Sequence, residues 1–154
     1  MIAVIALLPG PRHEADASRP LGGAQVTVVD GDSLRADGKN IRLIGIDAPE
    51  LRQTCRDARG RDWACGRAAK ARLVALVSSG DVACTARGRD RYGRTLAVCS
   101  GRGFADLGDT LVREGHAVDF GGYFSAEQEA RQARRGLWDG SFERPQDWRR
   151  SHPR

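Results

Sequence analysis

The chain has 154 residues, one domain's worth, and 40% of them are hydrophobic, enough to enclose a core. Its 25 basic and 20 acidic side chains leave a formal charge of +5, which excludes an acidic disordered chain and suits polyanionic partners; every basic residue except Lys39 and Lys70 is Arg, a bias that genome composition can also produce, so charge alone assigns no function. No apolar run reaches the roughly 18–20 residues that span a bilayer, which excludes an ordinary transmembrane helix.

Residues 1–23 read as a secretory leader and linker. Met1–Leu8 is the most apolar stretch, and Ala15-Asp16-Ala17 offers a small-x-small cleavage pattern, although a basic n-region is missing and Arg12-His13-Glu14 is charged. Pro9, Pro11, Pro20 and Gly22-Gly23 leave the segment no fold of its own. The expectation is an exported protein, periplasmic or extracellular; the rival is a disordered or strand-forming N-terminus.

A single folded domain is expected over residues 24–140. Val26–Val29 and Ser33–Ala36 are strand-like, Asp37-Gly38 is a turn signal, and Ile41–Ile46 is a β-branched-rich strand. From Arg67 to Ser79 the period changes: Ala69, Leu73, Leu76 and Val77 recur at helical spacing and Gly80 ends the run. Val82–Ala86 and Thr95–Cys99 form a hairpin around the polar, basic stretch Arg87–Arg94. Phe104, Leu107, Leu111 and Val112 trace a second helix closed by Gly115, and Ser125 with Gln128 opens a third by a capping box, running to about Gly136. Leu137-Trp138 then packs back on the body, and residues 141–154 read as a loosely held basic tail. The order predicts an α+β fold, a five-stranded OB-type β-barrel with three packed helices, although the pattern admits another small barrel equally well.

The four cysteines Cys55, Cys65, Cys84 and Cys99 are an even number, which with a leader favours disulfides over free thiols. Zinc is the rival, but its structural sites use C-x₂₋₄-C pairs that are missing here. Pairing between sequence neighbours fits best: Cys84 and Cys99 lie almost equally far from the turn at Arg91-Tyr92, and Cys55 with Cys65 closes a short loop.

Chemistry concentrates in three segments. Asp30-Gly31-Asp32 follows a strand, and the extended period of two puts both carboxylates on one side, where they repel unless a cation joins them; the same triplet is also an ordinary turn sequence. Asp47-Ala48-Pro49-Glu50 ends the next apolar strand, and carboxylates with backbone carbonyls are what a hard cation such as Ca²⁺ requires. Arg42 interrupts that strand, and Asp90-Arg91-Tyr92-Gly93-Arg94 supplies further guanidinium groups; each is a solvated surface residue or a planar fork aimed at phosphate.

Taken in order, D-G-D, R-L-I-G-I-D-A-P-E and D-R-Y-G-R resemble the thermonuclease family, the staphylococcal-nuclease-like domain. The resemblance extends from Gln25 to Trp138 and includes Leu111–Ala117 (L-V-R-E-G-H-A) and Arg134–Trp138 (R-R-G-L-W). It implies a five-stranded OB-type barrel with three helices, and a Ca²⁺ cofactor held by the side chains of Asp32 and Asp47 and the carbonyl of Ala48, with Asp30 as a supporting acid. It further implies that Arg42 and Arg94 clamp phosphate, that Glu50 removes a proton from water or orders it, and that Arg91 and Tyr92 contact a neighbouring phosphate. Tyr123 stacks on a base or packs in the body. Ser33 stands where the best-known member has Thr and keeps the hydroxyl; Ala48 also replaces a Thr.

Leu51–Gly66 differs more from the family pattern, so its substrate contacts do not carry over, and Arg52, Arg56, Arg59 and Arg61 are either a basic lip beside the site or part of a solvated, disulfide-closed loop. His13 and His152 fall in the expected tails, and His116, after a helix-ending glycine, is read as structural. The implied activity is Ca²⁺-dependent endonucleolytic hydrolysis of DNA and RNA by a monomer, leaving 5′-hydroxyl and 3′-phosphate ends. The alternatives are a non-catalytic OB-type module that binds nucleic acid or protein, and a Ca²⁺-stabilised structural domain.

Overall fold

The structure, a computed structural model, describes residues 25–153; the leader expected over 1–23 lies outside the described residues. Three short strands open the chain, β1 (Thr27–Asp30), β2 (Ser33–Ala36) and β3 (Lys39–Leu43), followed by β4 (Ile46–Asp47), β5 (Cys55–Arg56) and β6 (Asp62–Trp63). Helix α1 (Cys65–Ser78) precedes the hairpin β7 (Ala83–Arg89) and β8 (Thr95–Ser100). Then come α2 (Leu107–Arg113), β9 (Val118–Asp119), α3 (Phe124–Gln132), a 3₁₀ turn (Gly136–Asp139) and α4 (Pro145–Ser151).

The five longer strands make one mixed sheet in the order β1-β2-β3-β8-β7, with β3 and β8 parallel and the other pairs antiparallel. The α+β class and the five strands are as expected. A closed barrel is not among the described pairings, and the helices number four rather than three among the described residues.

The side-chain period of two explains which residues enter the core. Ile41 and Leu43 of β3 and Ala97 and Cys99 of β8 are buried, while Arg42 between the first two is turned away from them. Against this face α1 presents Ala69, Leu73 and Leu76, and α2 presents Leu107, Leu111 and Val112, all at or near complete burial. Both cysteine pairings are seen, Cys55–Cys65 and Cys84–Cys99, and the second joins residues directly opposite in the β7–β8 register.

Three local expectations are corrected. The strand expected to run to Ile46 stops at Leu43, because Gly45 at φ +79° turns the chain and Ile46-Asp47 pairs with β9 instead. The Ser125 capping box does not form: α3 starts at Phe124, and the Asp119 carboxylate accepts the N–H groups of Gly121, Gly122 and Tyr123 at 3.0, 2.9 and 2.7 Å ahead of it. It ends at Gln132, before Arg134 and Gly136 adopt positive φ.

The tail is not loosely held. Ser141 exchanges backbone hydrogen bonds with Arg56 at 3.0 and 2.9 Å, Phe142 packs edge-on against Trp138, and Pro145 is buried at the first turn of α4. Proline suits that position because its missing N–H would have no partner in a helix anyway.

Candidate active site

Two glycines bring the acidic segments together. A Cβ on Gly31 would lie 2.7 Å from the Cβ atoms of Ala48 and Ala69, so only glycine lets the β1–β2 turn press between the Asp47-Ala48 segment and α1. A Cβ on Gly66 would lie 1.8 Å from the Glu50 carbonyl oxygen, so the start of α1 rests directly on the backbone that carries Glu50.

At this junction Asp32 and Asp47 are buried, at 4% and 1% exposure. Asp32 accepts the Ala48 N–H at 2.8 Å and the Ser33 hydroxyl at 2.9 Å, which accounts for the retained hydroxyl at 33. Arg42, adjacent on β3, pairs with Asp32 and donates to Asp47 at 3.2 Å and to the Ile46 carbonyl at 3.3 Å. Burial works against its charge, but Asp32, Asp47 and Asp30 outweigh that and hold its pKa above the ordinary guanidinium value. Asp30 is left over. Burial, and then the charge of Asp32, push its carboxyl up to about 6; it accepts the Asp32 N–H at 3.2 Å and has no ion pair among the described residues.

Glu50 stands at the rim with its side chain 24% exposed. Its N–H donates to Gln53 Oε1 at 3.2 Å, its carbonyl accepts the Gln53 N–H at 2.8 Å, and Gln53 Nε2 donates to the Glu143 carbonyl at 2.7 Å. Gln53, at 1% exposure, is thus the tie between the Glu50 turn and the C-terminal segment.

The β7–β8 tip faces these acids. Asp90 Oδ1 accepts the N–H groups of Tyr92 and Arg94, both at 2.9 Å, closing the turn, and Asp90 Oδ2 accepts Arg94 Nε at 2.7 Å. Arg91 Nη2 donates to the Tyr92 hydroxyl at 2.8 Å and its guanidinium lies 4.9 Å from the ring centre.

Asp30, Asp32, Arg42, Ala48, Glu50, Arg91, Tyr92 and Arg94 all line one open cavity of about 950 Å³, and Asp47 sits behind it on Arg42. Of the four arginines in the Leu51–Gly66 stretch only Arg52 reaches that lining; Arg56 pairs with Asp62 and Arg61 with Asp57. Tyr123 is outside the lining: its hydroxyl donates to Asp106 at 2.9 Å, and burial, then Asp106, hold the phenol well above its ordinary pKa. His116 is half-buried away from the cavity, and burial holds its imidazole below its usual value, consistent with a neutral packing residue.

The sequence reading passed over Gln53, Trp148 and Arg149 and left His152 in the expected tail. The last three line the cavity from α4 and the residue that ends it, and Trp148 and His152 stack with ring centres 4.1 Å apart. Pro145 as a helix-starting residue was the signal that a helix follows it. Nothing local in the sequence shows where that helix docks.

The donor set suits a hard divalent cation: carboxylates converge with only Arg42 and Arg149 against them, and Asp30 has no ion-paired cation among the described residues. No ready-made cage of three His, Cys, Asp or Glu side chains occurs among the described residues, and Asp32 and Asp47 are each paired with a guanidinium group.

Comparison with known proteins agrees with this geometry. The family profile described as Staphylococcal nuclease homologue matches residues 40–140. The succinoglycan biosynthesis protein ExoI of Rhizobium meliloti is 39% identical over 132 residues, covering 82% of this chain and 69% of that protein. A micrococcal nuclease of Shigella flexneri is 31% identical over 150 residues, covering 84% and 80%. An uncharacterized endonuclease of Escherichia coli O157:H7 is 34% identical over 138 residues, covering 82% and 84%. The profile runs from β3, where Arg42 stands, to the end of the 3₁₀ turn, and the relatives match along most of their length; this chain belongs to the staphylococcal nuclease homologue family.

Proposed function

We propose that the protein is a Ca²⁺-dependent endonuclease that hydrolyses phosphodiester bonds of DNA and RNA, acting as an exported monomer. Membership of a nuclease family supports nucleic-acid hydrolysis, and the single observation that carries the rest is the meeting of Asp32, Glu50, Arg42 and Arg94 around one cavity. Asp32, Asp47 and the Ala48 carbonyl would hold the ion, with Asp30 supporting it; bound there, a hard dication supplies charge neutralisation for the oxygens of a five-coordinate phosphorus. Arg42 and Arg94 present planar forks to those same oxygens, stabilising the charge that builds as the bond breaks. Glu50 accepts a hydrogen bond from the attacking water and takes or orients its proton, and its partly exposed rim position leaves room for that water. Attack in line with the 5′-oxygen leaves a 5′-hydroxyl and a 3′-phosphate. Arg91 and Tyr92 contact the next phosphate.

The sheet order and the parallel β3–β8 pair fit an OB-type barrel, a fold that tolerates partial opening. Two disulfides suit an oxidising compartment, and no helix among the described residues is long and apolar enough to cross a membrane.

Supercoiled plasmid incubated with Ca²⁺ or with chelator tests the proposal. Nicking is expected with the metal alone, and Glu50→Ala and Arg94→Ala each lose about 10²–10³ in rate. Equal nicking in chelator would refute the mechanism. Plasmid that stays intact while Ca²⁺ raises the melting temperature would instead favour a binding module or a Ca²⁺-stabilised domain.

A further inference from the structure

The family match ends at residue 140, and the segment after it sends a guanidinium into the acidic site. Arg149 on α4 donates from Nη1 to Asp47 Oδ1 at 2.9 Å and to Glu50 Oε1 at 3.1 Å, and from Nη2 to Asp47 Oδ2 at 3.1 Å. The fork therefore grips both oxygens of a carboxylate that is 1% exposed, while its own side chain is 40% exposed towards the cavity. Arg42 already donates to Asp47 Oδ1 at 3.2 Å, so two cations share one oxygen.

The anchors of this segment lie elsewhere. Ser141 bonds to Arg56, the Glu143 carbonyl to Gln53 at 2.7 Å, and Arg144 pairs with Glu127 at 3.3 Å, all ahead of α4. The helix thus stays beside the cavity whichever acceptor the long Arg149 side chain holds.

We propose that Arg149 is a third phosphate-binding arginine, which holds Asp47 and Glu50 until a divalent cation takes the acids and a phosphodiester takes the guanidinium. The proposal rests on the metal-dependent reading above. Two physical facts carry it. A dication and a guanidinium repel one another across a single carboxylate, so binding of the first weakens the hold of the second. Carboxylate and phosphate both present a pair of charged oxygens to a planar fork, so a guanidinium released beside Arg42 and Arg94 meets an acceptor of the same geometry when the nucleic-acid backbone enters.

The test uses the full chain as wild type, Arg149→Ala and Arg149→Lys. Calorimetric titration with Ca²⁺ alone should show Arg149→Ala binding the ion about tenfold tighter, ~1.4 kcal/mol, because its competitor is gone. Fluorescence titration with a short single-stranded phosphorothioate oligonucleotide in saturating Ca²⁺ should show the same variant binding about tenfold weaker, with the slope of log K against log salt reduced by about 0.7, one phosphate contact. Arg149→Lys should keep the salt slope and fall between the two in affinity, since it retains the charge and loses the fork.

A residue that only supported the fold would weaken both bindings together, so shifts in the same direction, or no shift in Ca²⁺ affinity, overturn the proposal. Wild type that neither binds Ca²⁺ nor cleaves plasmid overturns the endonuclease reading instead. Wild type that does both, beside an Arg149→Ala variant without opposed shifts, overturns the role of Arg149 alone.

Discussion

Replacing Gly66 with Ala sets a helix preference against a packing clash, and the structure decides the sign. Ala is favoured over Gly inside a helix by about 1 kcal/mol, so propensity alone makes the variant more stable. At this site the new Cβ would lie 1.8 Å from the Glu50 carbonyl oxygen, 2.7 Å from its carbon and 3.0 Å from the Leu51 carbonyl carbon. Backbone must therefore open by about 1.2 Å before the closest contact reaches even 3 Å. Helix α1 cannot retreat readily, because Cys65 is bonded to Cys55 and Leu73 and Leu76 are fully enclosed. The Glu50 turn moves instead.

Overpacking of this kind costs about 1–3 kcal/mol, which cancels or exceeds the propensity gain. Displacing a catalytic group by about 1 Å costs up to about 10² in rate. Initial rates of plasmid nicking in Ca²⁺, measured well below the melting temperature, should fall by about that factor, and the melting temperature should stay level or drop. A folded variant with a raised melting temperature and a rate within about twofold of wild type would refute the claim that α1 positions Glu50.

Gln53→Leu should lose about 1–3 kcal/mol in denaturant titration and slow cleavage, since it strands the Glu50 N–H and the Glu143 carbonyl together. Replacing the pair Cys84 and Cys99, or Cys55 and Cys65, by alanine frees loops of 15 and 10 residues and should cost about 3 kcal/mol each by urea melts; only the second pair, which tethers α1 beside Glu50, should also slow cleavage. In chelator, Asp30 keeps its proton up to about pH 6 in the folded protein but releases it near 3.8 when unfolded, so its contribution to stability falls as pH rises between those values. Asp30→Asn should remove that fall in a pH series of thermal melts, and a slope identical to wild type would contradict the burial of the group. Gly115→Ala should cost several kcal/mol, because φ is +78° and the Cβ would lie 2.0 Å from the Arg135 carbonyl; a melt within about 1 kcal/mol of wild type would contradict the close approach.

What could be read from the sequence is what short-range chemistry encodes. The strand-like runs that become β2 and β3, the helical spacing of Ala69, Leu73 and Leu76, and the near-symmetry of Cys84 and Cys99 about a turn each depend on residues a few positions apart, and all three are seen in the fold. Asp30, Asp32, Glu50, Arg91 and Arg94, which meet in the cavity, were found as motifs because each lies in a short segment with its own turn signal. Where competing local signals existed, three-dimensional packing chose between them: Gly45 cut the strand that Ile44 and Ile46 would have extended, and Asp119 tied down the turn that leads into α3 while no capping box formed at Ser125.

Tertiary structure alone decided what lies against the acids. Arg149 is 102 residues from Asp47, and Gln53 is 90 from Glu143, distances over which no periodicity or turn pattern carries information. A guanidinium among 25 basic side chains looks like any other until the chain folds and a buried carboxylate demands a counter-charge. Which arginine answers depends on where α4 is anchored, and those anchors are backbone and side-chain bonds made only in the folded protein.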